Sequence, residues 1–300
     1  MRRTFTAFAV LICFLGSAEA FAADKRKLRW VASIYTDSMG VGLKHPEGVA
    51  CSGSKVYVAD TGNSRVIRYD YQDESVTAEA EFPLPKSVPM ILQVNSEGVV
   101  HFLDGRDRRI VALTATGEAK GSLKPKGLPS SAEIIPKSFR IDSEDNIYIL
   151  DLSSARVLVL DSSGQYLRHV RFPEEYGFFS DLAVDSDGSI LLLDSVEAAV
   201  YSAGREADRF SRLSASLKEY MNFPTRLATD NRGTIYLVDQ YGSGLALVAR
   251  DGSFLGRKLG MGWNESRLYY PSQLCINEKG DLFIADRNNS RVQFFTVAGD

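Results

Sequence analysis

Apolar and polar positions along this chain repeat with a period of about 45 residues. A mostly apolar stretch ending in aspartate recurs six times: KVYVAD to Asp60, VVHFLD to Asp104, NIYILD to Asp151, SILLLD to Asp194, TIYLVD to Asp239 and DLFIAD to Asp286. Successive aspartates are 44, 47, 43, 45 and 47 residues apart. A second marker (Pro46, Pro89, Pro136, Phe179, Pro224, Pro271) precedes its aspartate by 14 residues once and by 15 residues five times. Two markers held in phase over six copies define a repeat architecture. After each marker, the third and fifth positions are mostly apolar, as in Val49/Cys51 and Leu182/Val184, which predicts a first strand. Turn sequences follow (SGSK, NSEG, DSEDN, DSDG, DNRG, NEKG), whose short polar side chains bond their own backbone. The second strand, ending at the aspartate, is apolar on both faces and needs cover on both sides. A third strand, such as RVIRY or RVLVL, and a more polar fourth complete the unit.

Four-stranded units buried on both faces stack side by side and close into a ring. The predicted fold is therefore all-β: a six-bladed β-propeller of four-stranded antiparallel blades. The sixth unit has only three strands after its marker. Residues 28–35 (LRWVASIY) supply the missing outer strand, so that the amino-terminal segment clasps the last blade. The three inter-blade loops 123–136, 211–224 and 260–271 are long, and LSASLKEYM in the second predicts a short helix.

Ahead of the repeats, Arg2 and Arg3 precede a short apolar run at residues 5–15, followed by small residues around Ala18, Ala20 and Ala22. That is the layout of a secretory signal peptide at residues 1–22, which places the propeller at 23–300 and the protein in the periplasm or outside the cell. No later apolar run is long enough to span a membrane. Composition is ordinary for a globular chain, with 44% hydrophobic and 24% charged residues. The net charge of −3 argues against nucleic acid as a partner. Cys51 and Cys275 fall on the first strands of units one and six, which are ring neighbours, and form a candidate disulfide with two separate thiols as the alternative.

The segments HPEGVACSGSKVYVADTGNSRVIRYD (from His45) and YPSQLCINEKGDLFIADRNNSRVQFF (from Tyr270) resemble NHL repeats. Asp60, Asn63 and Arg65 match the Asp-x-x-Asn-x-Arg motif, as do Asp286, Asn289 and Arg291. Arg109 and Arg156 keep the arginine without the asparagine, while units four and five have Ala199 and Gly244 in its place. The resemblance covers residues 40–300 and is weakest in units four and five. It implies a binding platform for proteins or RNA, or, as in a few relatives, a lyase or lactone hydrolase.

Chemistry-bearing residues are few. His45, His101 and His169 fall at different radii of the predicted ring, so a three-histidine metal site is not expected, and His101 occupies a packing position held elsewhere by tyrosine or phenylalanine. The carboxylate clusters at Asp142/Glu144/Asp145 and Asp185/Asp187 read as turns rather than calcium loops. The six marker aspartates read as structural, since a catalytic residue is needed once. Function is sought where units differ. Two residues after the marker stand Gly48, Ile91, Ser138, Asp181, Arg226 and Gln273, and four after it Gln93 and Arg140. Asp181 and Arg226 are candidates to meet a small polar ligand, against the alternative of a mutual ion pair. Glu47 adds a carboxylate beside them. Arg106, Lys137, Trp263 and Tyr269 are candidate interface anchors on the long-loop face. The expected function is a non-enzymatic scaffold for a protein of the cell envelope, monomeric and without cofactor or metal. The alternative is a small-molecule lyase or hydrolase at the channel mouth.

Overall fold

The computed structural model describes residues 27–298, apart from residues 115, 130–132, 176 and 231. The signal-peptide expectation at residues 1–22 lies outside the described residues. Six four-stranded antiparallel sheets form the blades of a propeller. The innermost strands are Gly48–Ser52, Pro89–Val94, Pro136–Ile141, Phe179–Val184, Pro224–Thr229 and Leu274–Ile276. Each pairs with a strand ending at its marker aspartate, as in Pro136–Asp151 and Phe179–Asp194. In four blades the residue after the marker (Met90, Lys137, Ser180, Thr225) is bulged out of register, which re-aims the side chains around it.

Antiparallel order gives the ring two distinct faces. The entry face carries the loops into the inner strands and the loops between second and third strands. The turn face carries the tight turns between first and second strands. Among the described residues the core divides into six clusters, one in each cleft between neighbouring blades. Each cleft is filled from both sides, as by Leu182 and Val200 facing different neighbours of blade 4. This is why four of the second strands, such as Ile147–Asp151, are buried at every position and the other two at all but one.

The ring closes as the sequence predicts. Lys27–Ile34 pairs antiparallel with Arg291–Ala298, from Lys27 opposite Ala298 to Ile34 opposite Val292, and completes blade 6. The helix expected at residues 211–224 does not form. Leu217 and Met221 instead plug the cleft between blades 4 and 5, and a single turn links them, with Met221 N donating to Leu217 O at 3.0 Å. Docking of those two side chains, with Pro224 starting the next strand, leaves no length for a helix. Blade 4 accordingly has a fourth strand of only two residues, Ser211–Arg212. No helix among the described residues is long and apolar enough to cross a membrane.

Deleting Lys27–Ile34 exposes the outer edge of blade 6 and the apolar surface under Leu28 and Ile34. Burying two such side chains contributes about 4 kcal/mol, or roughly 10 °C in melting midpoint for a chain of this size. Circular-dichroism melts of the deletion should show a drop at least that large.

Candidate functional site

The inner strands have no neighbour on the channel side, so their backbone groups need other partners. Side chains two and four residues after the marker supply them. Gln273 reaches across blade 1: its Oε1 accepts from Val49 N (3.2 Å) and Leu92 N (2.9 Å), and its Nε2 donates to Leu92 O (2.9 Å). On the other half of the ring, Asp181 accepts from Ser138 Oγ, from Arg140 Nη2 (2.7 Å) and from Leu227 N (3.0 Å). Arg140 Nη2 also donates to Leu227 O at 2.9 Å. Gln273 thus ties blades 6, 1 and 2, and Asp181 with Arg140 ties blades 3, 4 and 5. Asp181 and Gln273 are almost wholly buried. They brace the ring across the channel at mid-height.

The braces lie between the two faces of the ring. On the turn face lies a cavity of about 470 Å3. Gln93, Arg140, Asp142, Thr229 and Glu278 line it, and so do Cys51 and Cys275. These cysteines face each other across the seam between blades 6 and 1, with Cα atoms 6.1 Å apart and their sulfurs joined. Asp142 works as a turn residue, accepting from Glu144 N (2.9 Å) and Asn146 N (2.8 Å). Among the described residues no group of three His, Cys, Asp or Glu side chains is placed to hold a metal ion.

On the entry face is the mouth that the sequence singled out. Arg226 does not pair with Asp181, whose charge Arg140 takes. Its Nη1 donates to Thr225 O (2.9 Å), while its buried Nε and the neighbouring Thr225 Oγ1 have no partner. Lys137, half-buried on the bulge of blade 3, places its Nζ 5.6 Å from the centre of the Phe178 ring. Burial, with repulsion from Arg226 and Arg108, lowers its pKa. Across the mouth Glu47 accepts from Arg287 Nε at 2.6 Å, so that side is neutralised. Arg106 stands exposed in the loop after Asp104 and donates its backbone N–H to that aspartate.

Aromatic rings run outward from Lys137. Phe178 touches Phe223 (centroids 6.0 Å apart), Phe223 touches Tyr241 (5.3 Å) and Tyr241 touches Tyr270 (5.6 Å). Tyr270 touches Tyr269 (5.3 Å), which touches Trp263 (6.0 Å). Phe178, Tyr241 and Trp263 are 44%, 50% and 74% exposed. Trp263, Tyr269 and Tyr270 belong to the long loop 260–271 that the sequence marks out; Phe178, Phe223 and Tyr241 were missed. The aromatic residues come from three blades, and only ring closure makes them neighbours.

A family model described as NHL repeat matches residues 268–295, the unit with the fullest motif. Its match and the six blades agree. The chain is a six-bladed β-propeller that carries an NHL repeat at residues 268–295. No curated protein matches the sequence. Among solved structures, the propeller resembles virginiamycin B lyase from Staphylococcus aureus, with TM-score 0.62 and 15% identity over 91% of this chain and 100% of that one. It also resembles a gluconolactonase from Xanthomonas campestris, with TM-score 0.66 and 14% identity over 94% of this chain and 93% of that one. A Bacteroides thetaiotaomicron protein of unknown function aligns with TM-score 0.66 and 16% identity, over 91% of this chain and 76% of that one. At these identities the likeness is one of fold.

Replacing Gln273 with Leu strands three backbone groups of blades 1 and 2 in the channel. At about 1 kcal/mol or more for each unpaired group, urea unfolding should show a loss of roughly 3 kcal/mol. A loss within error of zero would mean that water replaces the brace.

Proposed function

We propose that the NHL propeller binds a small molecule that carries or develops negative charge at its entry-face mouth and acts on it as a lyase or lactone hydrolase. The observation behind this reading is the unpaired Arg226 Nε beside the unpaired Thr225 Oγ1. Buried polar atoms are almost always satisfied, so two adjacent orphans mark a place where another molecule supplies the acceptor and donor. Lys137 adds a second cation, with no ion pair among the described residues, and burial lowers its pKa, so its charge is less tightly held than that of a surface lysine. Phe178 and Phe223 wall the site and strengthen its electrostatics by excluding water. The resemblance in fold to proteins named as a lyase and a gluconolactonase supports small-molecule chemistry over the scaffold role expected from sequence. Secretion to the periplasm or beyond, through a signal at residues 1–22, belongs to the same proposal. The Cys51–Cys275 bond supports it, because disulfides persist in oxidising compartments.

Calorimetric titration with gluconate, and a pH-stat assay of glucono-lactone opening, test this reading. Replacing Arg226 with Ala should weaken anion binding about tenfold or more, since a charge-assisted bond contributes roughly 1.5–3 kcal/mol. Unchanged binding in that variant overturns the site. The pH profile carries a sign. A lysine with a lowered pKa loses its charge as pH rises through that value, so anion affinity should fall at a pH below the usual lysine range, and Lys137→Met should remove that fall.

A second reading rests on the ring arc from Phe178 to Trp263. Exposed aromatic side chains of this kind anchor protein interfaces, and Arg106, Trp263 and Tyr269 would then meet an envelope protein. Under that reading Trp263→Ala abolishes partner capture and leaves small-anion binding intact.

A further inference from the structure

The disulfide lies in the wall of the turn-face cavity, on the opposite side of the braces from the mouth. Cys51 and Cys275 are both half-buried, and both line the space of about 470 Å3. That volume falls in the range of small-molecule sites. A small thiol therefore reaches the sulfurs without the ring opening. The charge around them has a sign. Glu278 lies across the same seam, its carboxylate accepting from Gly53 N at 3.1 Å, two residues beyond Cys51. Asp142, on the opposite wall, accepts from Tyr148 Oη (2.9 Å) and Asn146 Nδ2 (3.0 Å), neither of them a cation. The two arginines of the cavity are already matched, Arg140 by Asp181 at 2.7 Å and Arg205 by Glu144 at 3.2 Å.

We propose that the Cys51–Cys275 bond is a thiol-exchange site that favours small cationic thiols and repels anionic ones. An incoming thiolate attacks one sulfur, forming a mixed disulfide and releasing the other cysteine as a thiolate. A second equivalent of thiol resolves the adduct, leaving two protein thiols and the oxidised small disulfide. The electrons come from the thiol, and the protein gains two. Exchange removes the covalent link between blades 6 and 1, and the seam then rests on packing and on the amino-terminal clasp. Glu278 and Asp142 line the same cavity as the sulfurs, so the attack of anionic thiols is slowed by like charge.

The test is reduction of the folded, full-length protein at low ionic strength by three thiols of similar size: cysteamine, 2-mercaptoethanol and 3-mercaptopropionate. Intact mass reads the adduct and the free thiols, and rates are divided by each reagent's thiolate fraction and by its thiolate's rate with a small neutral disulfide, which removes the difference in intrinsic nucleophilicity. Cysteamine should exceed 3-mercaptopropionate by about fivefold, as a screened interaction with one or two carboxylates gives. Half-molar salt should close the gap, and Glu278→Gln should narrow it. Equal corrected rates at low salt overturn the charge selection. Rates independent of thiol concentration overturn the open route, since unfolding would then come first. Two free thiols before any reductant overturn the site itself.

Discussion

Each blade hangs on one buried carboxylate. The marker aspartate accepts the backbone N–H of a residue just ahead of its own inner strand: Lys44 for Asp60, Val88 for Asp104, Ile135 for Asp151, Phe178 for Asp194, Phe223 for Asp239 and Tyr269 for Asp286. The bond pins the chain's entry into a blade to the end of the second strand, so the inner strand starts at a fixed height. The counter-cation varies. Arg65 and Arg291 bind Asp60 and Asp286 at 2.7 Å from the third strand, and Arg156 binds Asp151 at 3.3 Å. In blade 5 the third strand has no arginine, and Arg257 of the fourth strand reaches Asp239 at 2.6 Å instead. Among the described residues Asp104 and Asp194 have no cation and accept backbone N–H groups at Oδ1 alone, which leaves Asp194 Oδ2 buried without a partner. Invariant backbone geometry with a variable partner explains why the motif fades in units four and five while the blade does not.

That division also explains what the sequence disclosed. Strand order, blade number, the clasp and the structural role of the aspartates were legible, because each depends on residues a fixed distance apart. Arg257 was not, since its partner lies 18 residues away in a different strand. Nor was the left-handed residue ahead of every third strand (Ser64, Arg108, Ala155, Ala198, Ser243, Ser290), with φ between 46° and 53°. Serine, arginine and alanine carry no mark of that conformation, whereas glycine would have. The inner-ring positions were recognised as distinctive, but Asp181 and Gln273 bond groups one and two blades away. A polar side chain facing a channel reads alike whether it holds a ligand or the neighbouring backbone. Arg226, the one left with an orphaned nitrogen, separates from the others only in three dimensions.

The braces make the propeller two-sided. The cationic, aromatic mouth and the acidic, disulfide-walled cavity lie on opposite faces of the ring, with the Gln273 and Asp181–Arg140 bonds between them. A ligand on one face therefore meets chemistry unlike that on the other, and changes at one end reach the other only through the inner strands. Arg140 is the residue placed to carry such a change, since it binds Asp181 and also lines the lower cavity.

The clasp sets an order on folding. Lys27 pairs with Ala298, so the strand made first completes the sheet made last. Blades can form locally as they appear, but the outer edge of blade 6 stays open until nearly the whole chain is available. Closing so long a loop is slow relative to hairpin formation. During that interval the molecule is an open arc with an unsatisfied edge on Arg291–Ala298 and an unpaired strand at its start. Two such arcs at high concentration can exchange first strands, so dilution during refolding should favour the closed ring.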